Sequence, residues 1–212
     1  MALFDEKITQ QLTELIGDLP KKLIIQYFRQ KDCASCDDTQ AFVSEIAEMN
    51  PNISVVVNDL DESPETFQKF DIERTPAIAM VAEDGTDYGI RFFGIPAGYE
   101  INSFVASIRE VGGMDEPLPE DILKRIKAID KDVHIKVFVT PTCPYCPGPV
   151  ILGHKLALLN KHIKADMVEA TTFPELSQKY AVRGVPKIVI NETNEFVGSQ
   201  PITKFLEVIE SL

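Results

Sequence analysis

"VTPTCPYCPGPV", residues 139–150, carries two cysteines separated by two residues, with four prolines around them. A second pair stands in "KDCASCDD", residues 31–38, and the chain has no other cysteine. Cysteines at this spacing suit half of a zinc site, a structural crosslink or a redox centre. The positions of the pairs begin to separate these readings. Cys33 and Cys143 stand 110 positions apart, as do Cys36 and Cys146, and Pro76 and Pro186.

The same shift aligns the chain with itself, without a gap, between these anchors. "KLIIQYF" (22–28) lies over "DVHIKVF" (132–138), and "PETFQKFDIERTPAI" (64–78) over "PELSQKYAVRGVPKI" (174–188). Phe28/Phe138, Ala47/Ala157, Ile53/Ile163, Gln68/Gln178 and Ile78/Ile188 are matched identities. Chance rarely puts cysteine pairs and a proline in one register, so the chain is read as an internal duplication.

Each copy predicts the same order of elements. Ile8, Leu12, Leu15, Ile16 and Leu19, and in the second copy Ile122, Ile126 and Ile129, recur at the three- and four-residue steps of one buried helix face. A short apolar strand follows ("LIIQYF", "HIKVFV"), and then the cysteine pair opens a second helix. A second strand ("ISVVVN", "IKADMV") and a short helix from Pro64 or Pro174 come next. The third strand starts at the shared proline, a hairpin over "EDGTDYG" or "NETNEF" leads to a fourth, and a helix closes the copy. This order predicts an α/β fold of two tandem domains, each a central mixed sheet flanked by helices. The expected division is 1–113 and 121–212, joined by a linker at 114–120 within the glycine-, proline- and acid-rich "GGMDEPLPED".

Composition sets outer limits. A chain of 212 residues is long enough for one large core or two small ones. Its net charge of −12 repels phosphate backbones and anionic lipid, which argues against nucleic-acid or membrane partners. No apolar run reaches the length of a membrane span, and "MALFDEKITQQLTELIGDLP" lacks the order of a signal peptide. A cytoplasmic protein is expected. All four cysteines lie in close pairs, unlike the scattered cysteines of a secreted disulfide scaffold.

With the first cysteine at a helix N-cap and the second near N3, both side chains share one face of the first turn, within reach of a disulfide. So short a loop constrains little of the unfolded chain, so the bond is expected to be made and broken in function. The unpaired amides and dipole of the helix start favour a thiolate, the attacking form. Cys33 and Cys143 are therefore expected to be exposed and to attack, and Cys36 and Cys146 to resolve the mixed disulfide. Asp32, Asp37 and Asp38 crowd the first pair, so Cys143 is expected to give up its proton more readily than Cys33. The expectation at Thr75–Pro76 and Val185–Pro186 is a cis bond facing the disulfide, leaving the backbone of Thr75 or Val185 free to pair with an extended substrate.

Together the cysteine pair at a helix start, the later proline-opened strand and the order of elements resemble the thioredoxin fold. "CPYC" resembles the active site of glutaredoxins. Two such units in tandem resemble the protein disulfide oxidoreductases, or glutaredoxin-like proteins, of thermophilic archaea and bacteria. "RFFGIPAGYE" (91–100), "RGVPKIVINE" and "EFVGSQP" (183–201) look like that family as well. The resemblance covers nearly the whole chain and implies dithiol–disulfide exchange on protein substrates. It implies no bound cofactor, reduction by a thioredoxin-reductase-like flavoprotein, and a peroxiredoxin as a further partner. The N-terminal module of flavin-dependent peroxiredoxin reductases also looks similar, but typically keeps a cysteine pair only in its second half. Thioredoxin's buried aspartate is missing; Tyr27 and Val137 stand near its place, which leaves Asp59 and Glu169 as candidates for proton transfer. Rival readings are a glutathione-dependent glutaredoxin, an electron relay in a peroxiredoxin reductase system, a structural zinc module and a binding module with idle sulfurs. His134, His154 and His162 share no ligand pattern between copies, so no metal site is expected.

Overall fold

The computed structural model describes residues 3–212. The chain divides into two compact units. One holds the chain up to Asp87 together with Phe92–Ile95 and Val105–Asp115; the other holds Tyr88–Arg91, Pro96–Phe104 and Glu116–Leu212.

In the first unit, helix α1 (Glu6–Ile16) starts where the Asp5 carboxylate accepts the Ile8 N–H, and it buries Leu12 and Ile16. It stops at Gly17, whose positive φ of 65° lets its N–H turn back to the Thr13 carbonyl. Strand β1 (Leu23–Arg29), helix α2 (Cys36–Glu48), strand β2 (Ile53–Asp59), helix α3 (Pro64–Lys69) and strand β3 (Ala77–Ala82) follow. Pro64 takes the first position of α3, where a missing N–H costs nothing. Strand β1 lies between β2, parallel to it with Leu23 opposite Ile53, and β3, antiparallel with Phe28 opposite Ala77. Phe28 is fully buried and packs edge-on against Phe67 at 5.0 Å and Phe70 at 5.6 Å.

Strand β4 (Asp87–Phe93), a 3₁₀ turn (Gly98–Glu100) and helix α4 (Ile101–Val111) complete the first copy, with residues of β4 and α4 in both units. The second copy runs α5 (Glu120–Lys127), β5 (Val133–Val139), α6 (Pro147–Leu159), β6 (Ile163–Glu169), α7 (Pro174–Lys179), β7 (Lys187–Ile190), β8 (Asn194–Val197) and α8 (Ile202–Glu210). Its pairing repeats the first at the same shift: β5 parallel to β6 with Val133 opposite Ile163, and antiparallel to β7 with Phe138 opposite Lys187. Helix α6 is apolar nearly all round because it is buried nearly all round. Gly153 faces the sheet, where a Cβ would make ordinary contact with Ala165 at 3.5 Å. Both copies thus have the mixed α/β plan that their pattern predicts. Among the described residues no helix is long and apolar enough to cross a membrane.

A second repeated device was not anticipated from the pattern. Asn50 and Asn160, again 110 apart, are buried between the first helix and second strand of their copies. The Asn50 amide donates to the Gly17 carbonyl; that of Asn160 donates to the carbonyls of Ile126 and Ile129. Each side-chain oxygen accepts the backbone N–H two residues on, at Asn52 and His162. One amide therefore satisfies helix-end carbonyls and shapes the turn into the next strand. We predict that Asn160→Ala, which strands these buried groups, lowers the stability of the second copy by about 1–3 kcal/mol. A urea midpoint equal to that of the parent would contradict this.

Candidate active sites

The loop from β1 to α2 carries the first cysteine pair. Cys33 and Cys36 form a disulfide with Cα atoms 5.4 Å apart, and the Cys36 N–H donates to the Cys33 carbonyl at 3.3 Å. Helix α2 begins at Cys36, later than the expected N-cap at Cys33. The pair is closed by a bond between residues three apart, tighter than the helical ladder, so the first cysteine stays in the turn ahead of the helix. Cys33 is half-buried and Cys36 is buried. Beneath them the buried Tyr27 hydroxyl donates to the Cys36 carbonyl at 2.5 Å. Burial pushes the Tyr27 phenol far up, so at neutral pH it is a donor to that carbonyl and no base.

Arg29, at the end of β1, went unnoticed in the sequence. Its guanidinium reaches Asp37 at 3.2 Å, the Gln40 side-chain oxygen at 2.7 Å and Asp59 at 3.7 Å. Asp59 also accepts the Asp61 N–H, so this acid is part of an ion cluster beside the start of α2. The acids around the first pair are therefore not the only charges there.

The loop from β5 to α6 carries the second pair. Cys143 and Cys146 form a disulfide with Cα atoms 5.5 Å apart, and the Cys146 N–H donates to the Cys143 carbonyl. Helix α6 starts at Pro147, with Cys146 as its N-cap. Cys146 is buried, and Cys143, expected to be exposed, is only 8% exposed. The bond ties its sulfur to Cys146, and Pro144 and Tyr145 take the outside of the turn. Glu169 lies at the end of β6, where its two oxygens accept the N–H and hydroxyl groups of both Thr171 and Thr172. Such bonding anchors the turn after the strand.

An acid that the pattern did not foretell lies on a turn bonded to the second loop. The 3₁₀ turn Gly98–Glu100 belongs to the same unit and is fastened to the loop before Cys143: the Tyr99 N–H donates to the Pro141 carbonyl at 2.9 Å. Gly98 permits this approach. It has a φ of +62°, and a Cβ on it would stand 2.2 Å from that carbonyl. Glu100, next in the turn, is 1% exposed. One carboxyl oxygen accepts the Ser103 hydroxyl at 2.5 Å, and the other is buried without a hydrogen-bond partner. Burial raises the Glu100 acid from its ordinary 4.5 to about 7, against the opposing Ser103 bond. The glycines in "GIPAGYE" were the legible sign of a tight approach; nothing in the pattern said that the acid beside them is buried.

Both X-Pro bonds, Thr75–Pro76 and Val185–Pro186, are cis. Each proline carbonyl accepts the N–H of a glycine after the hairpin strand, Gly94 for Pro76 and Gly198 for Pro186, at 2.9 Å. The Thr75 hydroxyl is a buried oxygen without a hydrogen-bond partner, at the place where the second copy has Val185. His154 is a core residue: burial lowers it to about 4, and its Nε2 stands 3.1 Å from the Arg91 carbonyl, which assigns the N–H there. His134 lies beside Asp166, and His162 beside Asp132. Among the described residues, no three His, Cys, Asp or Glu side chains gather to hold a metal ion.

Glu100 makes a measurable link between pH and stability. Its folded form holds the proton more tightly than the unfolded chain, so its contribution is fully present below pH 4.5 and is lost as pH rises through about 7. We predict that Glu100→Gln is more stable than the parent at pH 8, by up to about 3 kcal/mol, and nearly equal to it at pH 4. Unfolding midpoints at the two pH values check this; an equal difference at both would refute it.

Comparison with known proteins agrees with this geometry. A family model described as a thioredoxin domain matches residues 133–211. Among curated proteins the chain is 26% identical over 201 residues to an NADH dehydrogenase of Bacillus subtilis, covering 95% of this chain and 36% of that protein. It is 29% identical over 169 residues to an alkyl hydroperoxide reductase protein of Staphylococcus aureus, covering 80% and 30%. The chain thus spans about a third of the length of the curated relatives it matches. Among solved structures, the NTD_N/C domain of alkylhydroperoxide reductase AhpF from Enterococcus faecalis is 31% identical, with a TM-score of 0.92, over 97% of this chain and 99% of that one. A protein disulfide oxidoreductase from Aeropyrum pernix is 30% identical, with a TM-score of 0.91, over 98% and 92%. Likeness at this level covers nearly the whole chain, and the chain belongs to the tandem thioredoxin-fold family that includes these two proteins.

Proposed function

We propose that this protein is a thiol–disulfide oxidoreductase acting on protein disulfides through two sites, one in each half (1–113 and 121–212, joined by 114–120). The observation that carries the reading is the repeated constellation: a closed cysteine pair at a helix start, in a copy that also holds a cis-proline loop. A crosslink kept for stability would not be made twice across three residues.

In the reducing direction, the Cys143 thiolate attacks one sulfur of a substrate disulfide. That S–S bond breaks, a mixed disulfide forms, and the other substrate sulfur leaves as a thiolate and takes up a proton. Cys146, deprotonated, then attacks the Cys143 sulfur. The second substrate sulfur leaves as a thiolate and takes up a proton, and the enzyme pair, now a disulfide, has given up the two electrons that its substrate has gained. Cys33 and Cys36 repeat these steps in the first half. The helix start lowers the cost of the thiolate in each case. Backbone groups of Thr75 and Val185, beside the cis prolines, are proposed to pair with the extended substrate.

Proton exchange in the second site is assigned to Glu100, which titrates near neutrality on a turn bonded to the active-site loop. Asp59 and Glu169, at the ends of β2 and β6, are proposed to assist in proton transfer at the first and second site. Electrons are proposed to come from a thioredoxin-reductase-like flavoprotein, in the cytoplasm. A second reading makes the chain a relay between such a flavoprotein and a peroxiredoxin. The curated alkyl hydroperoxide reductase relative, about three times as long as the match, favours it.

We predict that Cys143→Ser/Cys146→Ser loses more insulin-reducing activity than Cys33→Ser/Cys36→Ser, and that glutathione leaves the rate of the parent unchanged. Equal losses in reductase, oxidase and isomerase assays would contradict the first; a rate that requires glutathione would move the protein to the glutaredoxin class. Glu100→Gln is expected to slow reduction by about tenfold and to remove a limb of the pH–rate profile near 7, where Asp59→Asn and Glu169→Gln change it less. An unaltered profile would exclude Glu100 from proton exchange.

A further inference from the structure

The two sites share a backbone plan and differ in charge. At the first, Asp37 follows the inner cysteine, Asp59 ends β2, and Arg29 ends β1; the residues 110 further on are Pro147, Glu169 and Val139. The second site therefore has no cation at the place of Arg29. Nor does Glu169 need one, since threonine donors occupy its oxygens.

We propose that Arg29 is the positioning cation of the first site, setting the thiolate stability and reduction potential of the Cys33–Cys36 pair. This rests on the dithiol–disulfide reading above. Arg29 lies four residues before Cys33, and its side chain, 30% exposed, spans from the first turn of α2 to the end of β2. Its Nε is buried without a hydrogen-bond partner, and Asp59 stands 3.7 Å away. One N–H of the fork is thus held in the cluster without being used up by it. Arg29 and Asp37 also act in opposite senses on the Tyr27 hydroxyl, which is bonded to the Cys36 carbonyl. The guanidinium therefore stands where its field reaches the hydroxyl that holds the Cys36 carbonyl.

The other charges of this half partly cancel. Lys31 in the active-site loop pairs with Asp61 at 2.7 Å, and Arg74 before the cis proline pairs with Glu73 at 3.5 Å. Asp32 in the loop and Asp38 in the first turn of α2 remain, both exposed. Reduction breaks the S–S bond with two electrons and one proton, leaving a thiol on Cys36 and a thiolate on Cys33 near these acids. Without Arg29 the thiolate would face Asp32, Asp37, Asp38 and Asp59 together, and the reduced form would be disfavoured. With Arg29 the helix start keeps its usual effect. The cation thus keeps a site written in acidic sequence in working condition.

The test uses the full chain with Cys143→Ser and Cys146→Ser, so that only the first pair reacts. Iodoacetamide alkylation against pH reads the thiolate fraction of Cys33, and equilibration with thiol buffers reads the potential. Arg29→Gln is expected to lower the thiolate fraction at pH 7 by about threefold to tenfold and to make the potential more negative; a tenfold change in the equilibrium reads as about 30 mV. Arg29→Lys, which keeps the charge, restores most of the difference, and Asp37→Asn shifts both readings the other way. A merely structural role would move neither the potential nor the alkylation profile once circular dichroism shows the fold intact. Arg29→Gln indistinguishable from the parent, or Asp37→Asn shifting both readings in the same direction as Arg29→Gln, overturns the inference. A parent pair that does not reduce and reoxidise reversibly overturns instead the dithiol–disulfide reading.

Discussion

Phe28 lies opposite Ala77 and Phe138 opposite Lys187, and from these two pairings the working end of each copy follows. Each central strand runs parallel to one neighbour and antiparallel to the other. The ends of β1 and β2 and the beginning of β3 therefore open on the same edge of their sheet. The cysteine loop leaves β1 there, Asp59 ends β2 there, and cis Pro76 immediately precedes β3 there. A slip by one residue would turn every inward side chain outward and shift the start of β3 against the end of β1. The buried phenylalanines hold this register, since their rings fill the core on one face only.

Upon this common frame the two sites have been given different surroundings. In the first, a buried tyrosine hydroxyl holds the inner cysteine's carbonyl, and an arginine pairs with two acids. In the second, a proline-rich helix start carries no acid in its first turn, and a buried carboxyl rides on a turn bonded to the loop. The chemistry of a cysteine pair depends on the relative cost of thiolate and disulfide. Duplication preserved the backbone that brings the sulfurs together, and it left that cost to side chains that differ between the copies. Two potentials in one chain are the physical expectation.

Much of the site was legible in the order of residues. Spacing put Cys33 within reach of Cys36 and Cys143 within reach of Cys146; the bonds form in the turn that leads into each helix and not on its first turn. The prolines at 76 and 186 declared themselves by standing in register with those cysteines. Helix starts were misplaced by a few residues because the cysteine turn closes with a tighter bond than the α-helical ladder, and no residue type marks that difference. Asn50 and Asn160 also lay in the repeat. Their work went unseen because a buried asparagine and a turn asparagine look alike until the carbonyls they reach have been placed.

The amino-acid sequence determined by itself that the fold is written twice, that each copy is an α/β unit, and that its sulfurs come in closable pairs. These are properties of order and periodicity, which survive without knowledge of distant contacts. Only the tertiary structure decided which charged groups gather around the two cysteine loops. Arg29 meets Asp59 across 30 residues, and Glu100 approaches the second loop across some 40, by way of Tyr99 and Pro141. Burial and distance determine the strength of an electrostatic interaction. Neither is a property of a residue's neighbours in the chain, so the acid that titrates near neutrality and the cation beside the first disulfide emerged only with the fold.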